Sequence, residues 1–274
     1  MDEIASHQKW QATRQAELNA PESWLGLKGL AWLEIGENQV GSAADCHVVL
    51  PTGAAVVGVL KLDAGNMFWQ SAQESIDVVL PEMASDLGWQ LLKTDREGAP
   101  SAISVGGLQI TVIERDGRFA ARVRDHAWAD GLQTPPLNYF DYDPNWAINA
   151  DWQALEHVVE MPVPSASGDL SAVRVGHQAV FEWAGEAIHL LPISVSGAEI
   201  FFVFRDRTSG KETYGAGRFL KANATVDGQI SLNFNFAYNP PCAFTAFATC
   251  RLPPPENWLP FPVSAGEKQW QGHD

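Results

Sequence analysis

The chain has 274 residues, of which 46% are hydrophobic and 19% charged, which is typical of a soluble globular protein and excludes a disordered or fibrous one. Its 18 basic and 33 acidic side chains give a formal net charge of −15, which disfavours binding to phosphate backbones or anionic lipid surfaces. No apolar run approaches the length of about 18 residues that a membrane span needs. The sequence therefore predicts a protein with neither nucleic-acid nor membrane partners, and it does not indicate an oligomeric state.

The cysteines and the N-terminal residues indicate the cellular compartment in which the protein is expected. Three cysteines in a long chain do not form a disulfide framework, and the first residues show neither the basic nor the apolar region of a signal peptide. These observations predict a reduced, cytoplasmic protein. Within that interpretation, Cys242 and Cys250 are close enough in the chain to form a disulfide, but the apolar surroundings of Cys242 favour a buried, inert thiol.

Residues 2–19 have the pattern of a helix. Asp2 is a suitable N-cap, strong helix formers follow it, and the sequence Asn19-Ala20-Pro21 predicts the end. The apolar stripe of this segment is thin, which predicts that it lies on a sheet. We assign residues 1–23 to this N-terminal helix.

From about residue 38 the pattern changes to short apolar runs that are separated by turn residues. Asp116-Gly117, for example, separates two alternating runs and predicts a hairpin. Regularly spaced short strands without helical patterns between them predict an all-β fold. We divide this part into a β-sandwich over residues 24–115 and a larger antiparallel β domain over residues 116–274.

Within the second domain, the segment from about Leu132 to Pro164 is rich in Pro, Asn and Asp and predicts a long connection with one short strand. Further along the chain, the patterns predict strands over Glu199–Phe204, Thr213–Leu220 and Ile230–Phe236. The first two strands would form a hairpin closed by the loop 206–212.

Part of the N-terminal sandwich resembles a forkhead-associated domain. The resemblance is carried by Gly36–Ser42, by Cys46–Pro51 and by Val105–Val112. It implies a sandwich fold. Ser42 stands where the resemblance places a phosphate-binding arginine, and the serine-x-x-histidine signature is missing from Thr52–Val59, so we predict that this part does not bind phosphopeptides.

A second resemblance extends over most of the chain and rests on several separate boxes: Gly29–Leu33, Arg122–Asp125, Arg205–Phe219, Tyr238–Phe244, Pro253–Asn257 and Glu267. Together they resemble the family called domain of unknown function 1684. This resemblance implies a fold but no reaction. Two positions depart from the family pattern, because Asn233 stands in place of an acidic residue and Phe236 in place of a basic one.

Directional polar residues are concentrated in the second domain, and they are our candidates for ligand binding: Arg205, Tyr214, Arg218, Asn233, Tyr238 and Asn239. On a strand over Thr213–Leu220, Tyr214 and Arg218 would share one face, with glycines on the other. A guanidinium and a phenol suit a carboxylate, a phosphate or sugar hydroxyls. Glu212 is the candidate acid or base. The alternative is a structural ion pair of Arg205 or Arg218 with Asp206 or Glu212.

Three functions remain open at this point. The first is a pocket for a small polar or anionic ligand in the C-terminal β domain, with the reaction unknown. The second is a protein-interaction module that acts through the N-terminal sandwich, and the third is a purely structural protein. No motif for a nucleotide, a nucleophilic serine or a zinc ion is present in the sequence. We therefore predict no cofactor and no metal.

Overall fold

The computed structural model describes residues 3–72, 78–79, 88–130, 134–166, 168, 170–223 and 227–272. Helix α1 spans Glu3–Asn19. The strands are β1 Leu27–Trp32, β2 Gly36–Gly41, β3 Val48–Val49, β4 Gly58–Asp63, β5 Asn66–Ser71, β6 Val78–Val79, β7 Gln90–Leu92, β8 Ala102–Val105, β9 Leu108–Arg115, β10 Arg118–Asp125, β11 Ala147–Pro164, β12 Leu170–Trp183, β13 Glu186–Leu190, β14 Ser194–Ser196, β15 Glu199–Phe204, β16 Arg218–Asn223 and β17 Gln229–Asn233. Short 3₁₀ helices occupy Trp24–Gly26, Asp95–Glu97, His126–Ala129, Pro144–Trp146, Phe234–Phe236, Pro241–Ala243 and Pro255–Asn257.

The predicted fold class is confirmed: the chain is mostly β, with one α-helix among the described residues, at the N-terminus, and several antiparallel sheets. It forms two compact units. The sandwich unit comprises Ala20–Gln133, and the C-terminal unit comprises Met1–Asn19 together with Thr134–Asp274. None of the helices in the described part of the chain is both long and apolar enough to cross a lipid bilayer.

The sandwich unit contains two five-stranded sheets, with strand orders β1-β10-β9-β8-β6 and β3-β2-β4-β5-β7. Their inner faces share one core, in which Leu60 and Trp69 of the second sheet pack with Ile110 and Val123 of the first. The hairpin predicted at Asp116-Gly117 is confirmed as β9–β10, and both turn residues have positive φ. The likeness of this unit to a forkhead-associated domain stays a prediction.

The units divide the chain differently from the boundaries predicted above. A boundary at residue 115/116 falls inside the β9–β10 hairpin, and β10 also pairs with β1. Helix α1 belongs to the C-terminal unit, where His7 Nε2 donates to the carbonyl of Asn235 at 2.9 Å. Pairing between strands that are distant in sequence cannot be read from composition, which explains the difference.

The C-terminal unit has a four-stranded sheet of order β13-β12-β11-β17 and a three-stranded sheet of order β14-β15-β16. The two sheets share a core that joins Phe181 and Leu232 to Phe202, Phe204 and Leu220. The C-terminal segment 259–265 also packs into this core. Strands β15 and β16 therefore position the candidate site together with the C-terminal segment 259–265.

The prediction of a long connection from Leu132 to Pro164 is wrong over most of that range, because β11 fills 147–164. Pairing with β17 ends at Asp151, so beyond it one edge of β11 has no partner strand in that sheet among the described residues, and proline is tolerated at such an edge. Pro162 and Pro164 alternate there with the buried Met161 and Val163. The middle of the strand is largely exposed, which explains why its hydrophobic pattern was too weak to predict it.

Candidate functional site

The loop between β15 and β16 is organised by Asp206. Its Oδ1 accepts hydrogen bonds from the backbone N–H of Thr208 at 2.7 Å, from the Thr208 hydroxyl at 2.6 Å and from the N–H of Val263 at 3.1 Å. The carbonyl of Thr208 accepts bonds from the N–H groups of Lys211 and Glu212. The loop is thus held by directional bonds at its base, and its carboxylate is fully engaged.

Arg218 is completely buried beneath this loop. Its Nη2 donates to Asp206 Oδ2 at 2.9 Å and to the carbonyl of Val263 at 2.8 Å, and its Nη1 donates to the carbonyl of Ala265. Burial lowers the pKa of Arg218, and the pairing with Asp206 opposes that shift. Arg218 therefore forms the structural ion pair that the sequence left open as an alternative, and both of its Nη atoms are bound within the protein.

Tyr214 does not share a strand face with Arg218. The predicted strand Thr213–Leu220 begins only at Arg218, because Tyr214–Gly217 form a turn in which the N–H of Gly217 donates to the carbonyl of Tyr214. Gly217 has φ +101° and lies so close to the carbonyl of Phe204 that a side chain would collide with it. The Tyr214 hydroxyl donates to the carbonyl of Cys242 at 2.8 Å, and burial raises its pKa.

Tyr238 and Asn239 lie together with Arg14 and Glu267. The fully buried Glu267 accepts bonds from Arg14 Nε at 2.8 Å and from the N–H of Asn239 at 2.7 Å. The guanidinium of Arg14 lies over the Tyr238 ring, 4.9 Å from its centroid. Burial raises the pKa of Tyr238 to about 12, although Arg14 opposes the shift. This cluster fastens α1 to the rest of the unit.

Asn233 and Glu212 are placed apart from that cluster. Asn233 is the last residue of β17, and its side chain accepts a bond from the N–H of Asn235 and caps the short helix Phe234–Phe236. The predicted strand Ile230–Phe236 therefore ends three residues early. Glu212 is exposed, and its described bonds are made by its backbone: the N–H donates to the carbonyl of Thr208, and the carbonyl accepts the N–H of Gln269.

Arg205 is the candidate that lines a cleft. The cleft has a volume of about 430 Å³ and is lined by Arg205, Asp206, Arg207, Ser209, Lys211, Trp258, Leu259 and Pro260. The segment 257–261 runs beside Arg205 and Arg207: the N–H of Arg205 donates to the carbonyl of Asn257, and the N–H of Arg207 to that of Phe261. The cleft is thus formed between the β15–β16 loop and the proline-rich C-terminal segment.

The cleft is cationic. Arg205, Arg207 and Lys211 have no carboxylate within ion-pair distance among the residues that the structure describes. The guanidinium of Arg205 lies 5.0 Å from the centroid of the Trp258 ring, which is 53% exposed. The one carboxylate that lines the cleft, Asp206, is only 6% exposed and is neutralised by Arg218. The lining groups supply positive charge and aromatic surface.

Sequence reasoning missed three of these residues, Arg207, Lys211 and Trp258. A signal was present, since Arg205, Arg207 and Lys211 place three cations in seven positions of a strongly acidic chain. Trp258 could not have been found, because its position beside Arg205 depends on the course of the C-terminal segment. No group of metal-binding side chains occurs in the described part of the chain.

Four of the six sequence boxes lie in the C-terminal unit, whereas Gly29–Leu33 and Arg122–Asp125 lie in the sandwich unit. Asn257 contacts Arg205 through the backbone, and Glu267 contacts Asn239. Ser42, in the sandwich unit, donates through its hydroxyl to the carbonyls of Gly53 and Ala54. The absence of phosphopeptide binding there stays a prediction.

These features define the chain as an all-β protein whose C-terminal unit carries a cationic cleft beside a proline-rich segment. Residues 135–268 match the family described as protein of unknown function (DUF1684). A similar solved structure is the solution NMR structure of an uncharacterized protein from Haloarcula marismortui, which is 33% identical. The match covers 50% of this chain and 78% of that one, with a TM-score of 0.40. The chain belongs to the DUF1684 family. No curated protein matches it.

Proposed function

We propose that the C-terminal unit binds a small anion, carrying a carboxylate or a phosphate group, in the cleft lined by Arg205, Arg207, Lys211 and Trp258. The observation that carries the proposal is the presence of three cations without carboxylate partners among the described residues. Guanidinium groups form strong charge-assisted hydrogen bonds with both classes of anion.

The net charge of −15 does not oppose this proposal at physiological ionic strength. Charges in solvent are screened over about 8 Å, so acidic side chains elsewhere on the surface contribute little inside the cleft. The cations that line the cleft act at hydrogen-bond distance and are not screened in this way. The local charge therefore decides binding.

Trp258 adds a preference for ligands with a planar part. Its indole N–H is occupied, because it donates to the carbonyl of Pro253 at 3.1 Å, and this bond fixes the orientation of the ring. Arg205 lies over the ring, and about half of the surface of Trp258 remains accessible to a ligand. A ligand ring stacked on an aromatic side chain contributes about 0.5–1.5 kcal/mol beyond the area it buries.

The proposal is tested by titrating the purified protein with inorganic phosphate, succinate and phenyl phosphate, by thermal shift and then by calorimetry. Replacing Arg205 with Met removes one charged hydrogen bond, worth about 1.5–3 kcal/mol, so affinity is expected to fall roughly tenfold to a hundredfold. Trp258→Leu is expected to abolish the advantage of phenyl phosphate over inorganic phosphate.

Lys221→Met is the matched control. Like Arg205→Met, it removes one positive charge. Lys221 lies on β16, however, where it is exposed and already paired with Glu199 at 3.1 Å. This variant is expected to bind the anions as the unmodified protein does. If none of the three probes binds, or if Lys221→Met weakens binding as much as Arg205→Met, the cleft is not an anion site.

A further inference from the structure

The thiols of Cys242 and Cys250 are neighbours in the C-terminal unit. Neither forms a disulfide, and the backbone N–H of Cys242 donates to the sulfur of Cys250 at 3.1 Å. The sulfur of Cys242 is only three bonds from that same nitrogen, and the two thiols are hydrogen-bonded to each other, so the two sulfurs are close neighbours. The cleft described above does not include either residue.

The two thiols differ in access, and the surroundings of Cys242 favour its thiolate. Cys242 is half-buried, whereas Cys250 is buried. A hydrogen bond with the Cys250 thiol lowers the pKa of Cys242, and the Tyr214 hydroxyl adds to the effect, while burial opposes it. The thiolate is the reactive form of cysteine, so the lowered pKa favours attack by the more accessible of the two sulfurs.

We propose that Cys242 and Cys250 are a reversible thiol–disulfide pair, in which Cys242 attacks an external oxidant and Cys250 completes the protein disulfide. The oxidant class is a small-molecule disulfide such as oxidised glutathione. This pair does not depend on the anion site, because it lies on a different part of the unit.

The exchange balances in two steps. The Cys242 thiolate attacks one sulfur of the reagent, the reagent S–S bond breaks, and one thiolate leaves. The Cys250 thiolate then attacks the sulfur of Cys242 in this mixed disulfide, which forms the protein S–S bond and releases the second thiolate. Two electrons pass from the protein to the reagent, and the two protons lost by the protein thiols are taken up by the two released thiolates.

The backbone around the pair connects it to two other segments of the unit. The carbonyl of Cys242 accepts the bond from Tyr214, in the β15–β16 loop. The carbonyl of Cys250 accepts the N–H of Ala166 at 2.7 Å, just after β11. A disulfide between the two cysteines would therefore join the two backbone positions to which these segments are hydrogen-bonded.

The experiment incubates the reduced full-length protein in glutathione redox buffers, stops exchange with acid, and measures intact mass and free thiols. The expected result is a loss of about 2 Da and a fall from three titratable thiols to one, with Cys46 unaffected. Cys46→Ser, the matched control in the sandwich unit, is expected to lose the same mass. Reduction with dithiothreitol is expected to restore all thiols.

Two further variants test the assigned roles. Cys250→Ser should accumulate the mixed disulfide at Cys242, because the second thiol is missing. Cys242→Ser should react at least about tenfold more slowly, since Cys250 is buried. Circular dichroism of each variant checks that it is folded. Equal adduct rates in the two folded variants, or no mass loss in the unmodified protein across the redox series, would overturn the proposal.

Discussion

Arg218 and Asp206 form an ion pair at 2.9 Å in which neither side chain is accessible to solvent. The pair joins the first residue of β16 to the loop that follows β15, and both partners also bind the backbone of the segment 263–265. One buried pair thus fixes three segments of the C-terminal unit. It also supports the floor of the cationic cleft, because Asp206 is one of the residues that line it.

Replacing Arg218 with Met should destabilise the protein by about 3–5 kcal/mol, because the variant leaves the carboxylate of Asp206 buried without its partner. The measurement is urea unfolding followed by circular dichroism. In the double variant Asp206→Asn/Arg218→Met, the buried charge is gone as well, so the double loss should be clearly smaller than the sum of the single losses. Additive losses would show that the pair is not coupled.

Arg14 offers an internal comparison between a buried and an exposed partner. It binds Glu267, which is fully buried, and Glu17, whose side chain is 60% exposed. Glu17→Gln should change the free energy of unfolding by no more than about 0.5 kcal/mol, as is typical of surface pairs. Arg14→Met leaves the carboxylate of Glu267 buried without its partner, so this variant should lower the free energy of unfolding by about 3 kcal/mol. Equal effects of the two substitutions in urea unfolding would contradict this assignment.

His7 should make the stability of the C-terminal unit depend on pH. Its ring packs against Trp10, Tyr142 and Phe236, and burial lowers its pKa below the ordinary value of 6.5, although the bond to the carbonyl of Asn235 opposes the shift. With its pKa lowered in the folded state, the folded protein binds fewer protons than the unfolded chain as the pH falls below 6.5. The free energy of unfolding should therefore fall there, by up to about 1.4 kcal/mol per pH unit.

The check on His7 is the difference between two stability profiles from pH 5 to pH 8. His7→Asn cannot titrate in this range, so its profile lacks the contribution of this residue while keeping those of all other groups. The two profiles should run in parallel above pH 7 and diverge below about 6.5. Profiles that stay parallel down to pH 5 would refute the role of His7.

Asn257 should support both stability and the shape of the cleft. This buried residue accepts a bond from the N–H of Leu191 at 2.8 Å and donates to the carbonyls of Leu191 and Val203. Asn257→Ala leaves these backbone groups unpaired, and we expect a loss of about 2–3 kcal/mol in urea unfolding. Because Trp258 is the next residue, the preference for phenyl phosphate over inorganic phosphate should fall as well. A loss below about 0.5 kcal/mol would contradict this role.

The local features of the sequence were enough for several elements. The helix over residues 2–19, strand β15 and the hairpin at Asp116-Gly117 were predicted from periodicity, capping and turn residues. The family boxes within residues 135–268 were also recognisable from short runs of sequence. Such features depend on neighbours in the chain, and their physical causes act within a few residues.

Only the tertiary structure decided which polar groups are available to a ligand. In sequence, Arg205 and Arg218 were both candidates in one box, and Arg218 was the predicted anchor for a ligand. In the fold, Arg218 is enclosed by Asp206 and the carbonyls of the C-terminal segment, whereas Arg205 lies in an open cleft beside Trp258, 53 positions away. Burial of a charge depends on segments that come together only when the chain folds, and the spacing of residues within a box does not contain that information.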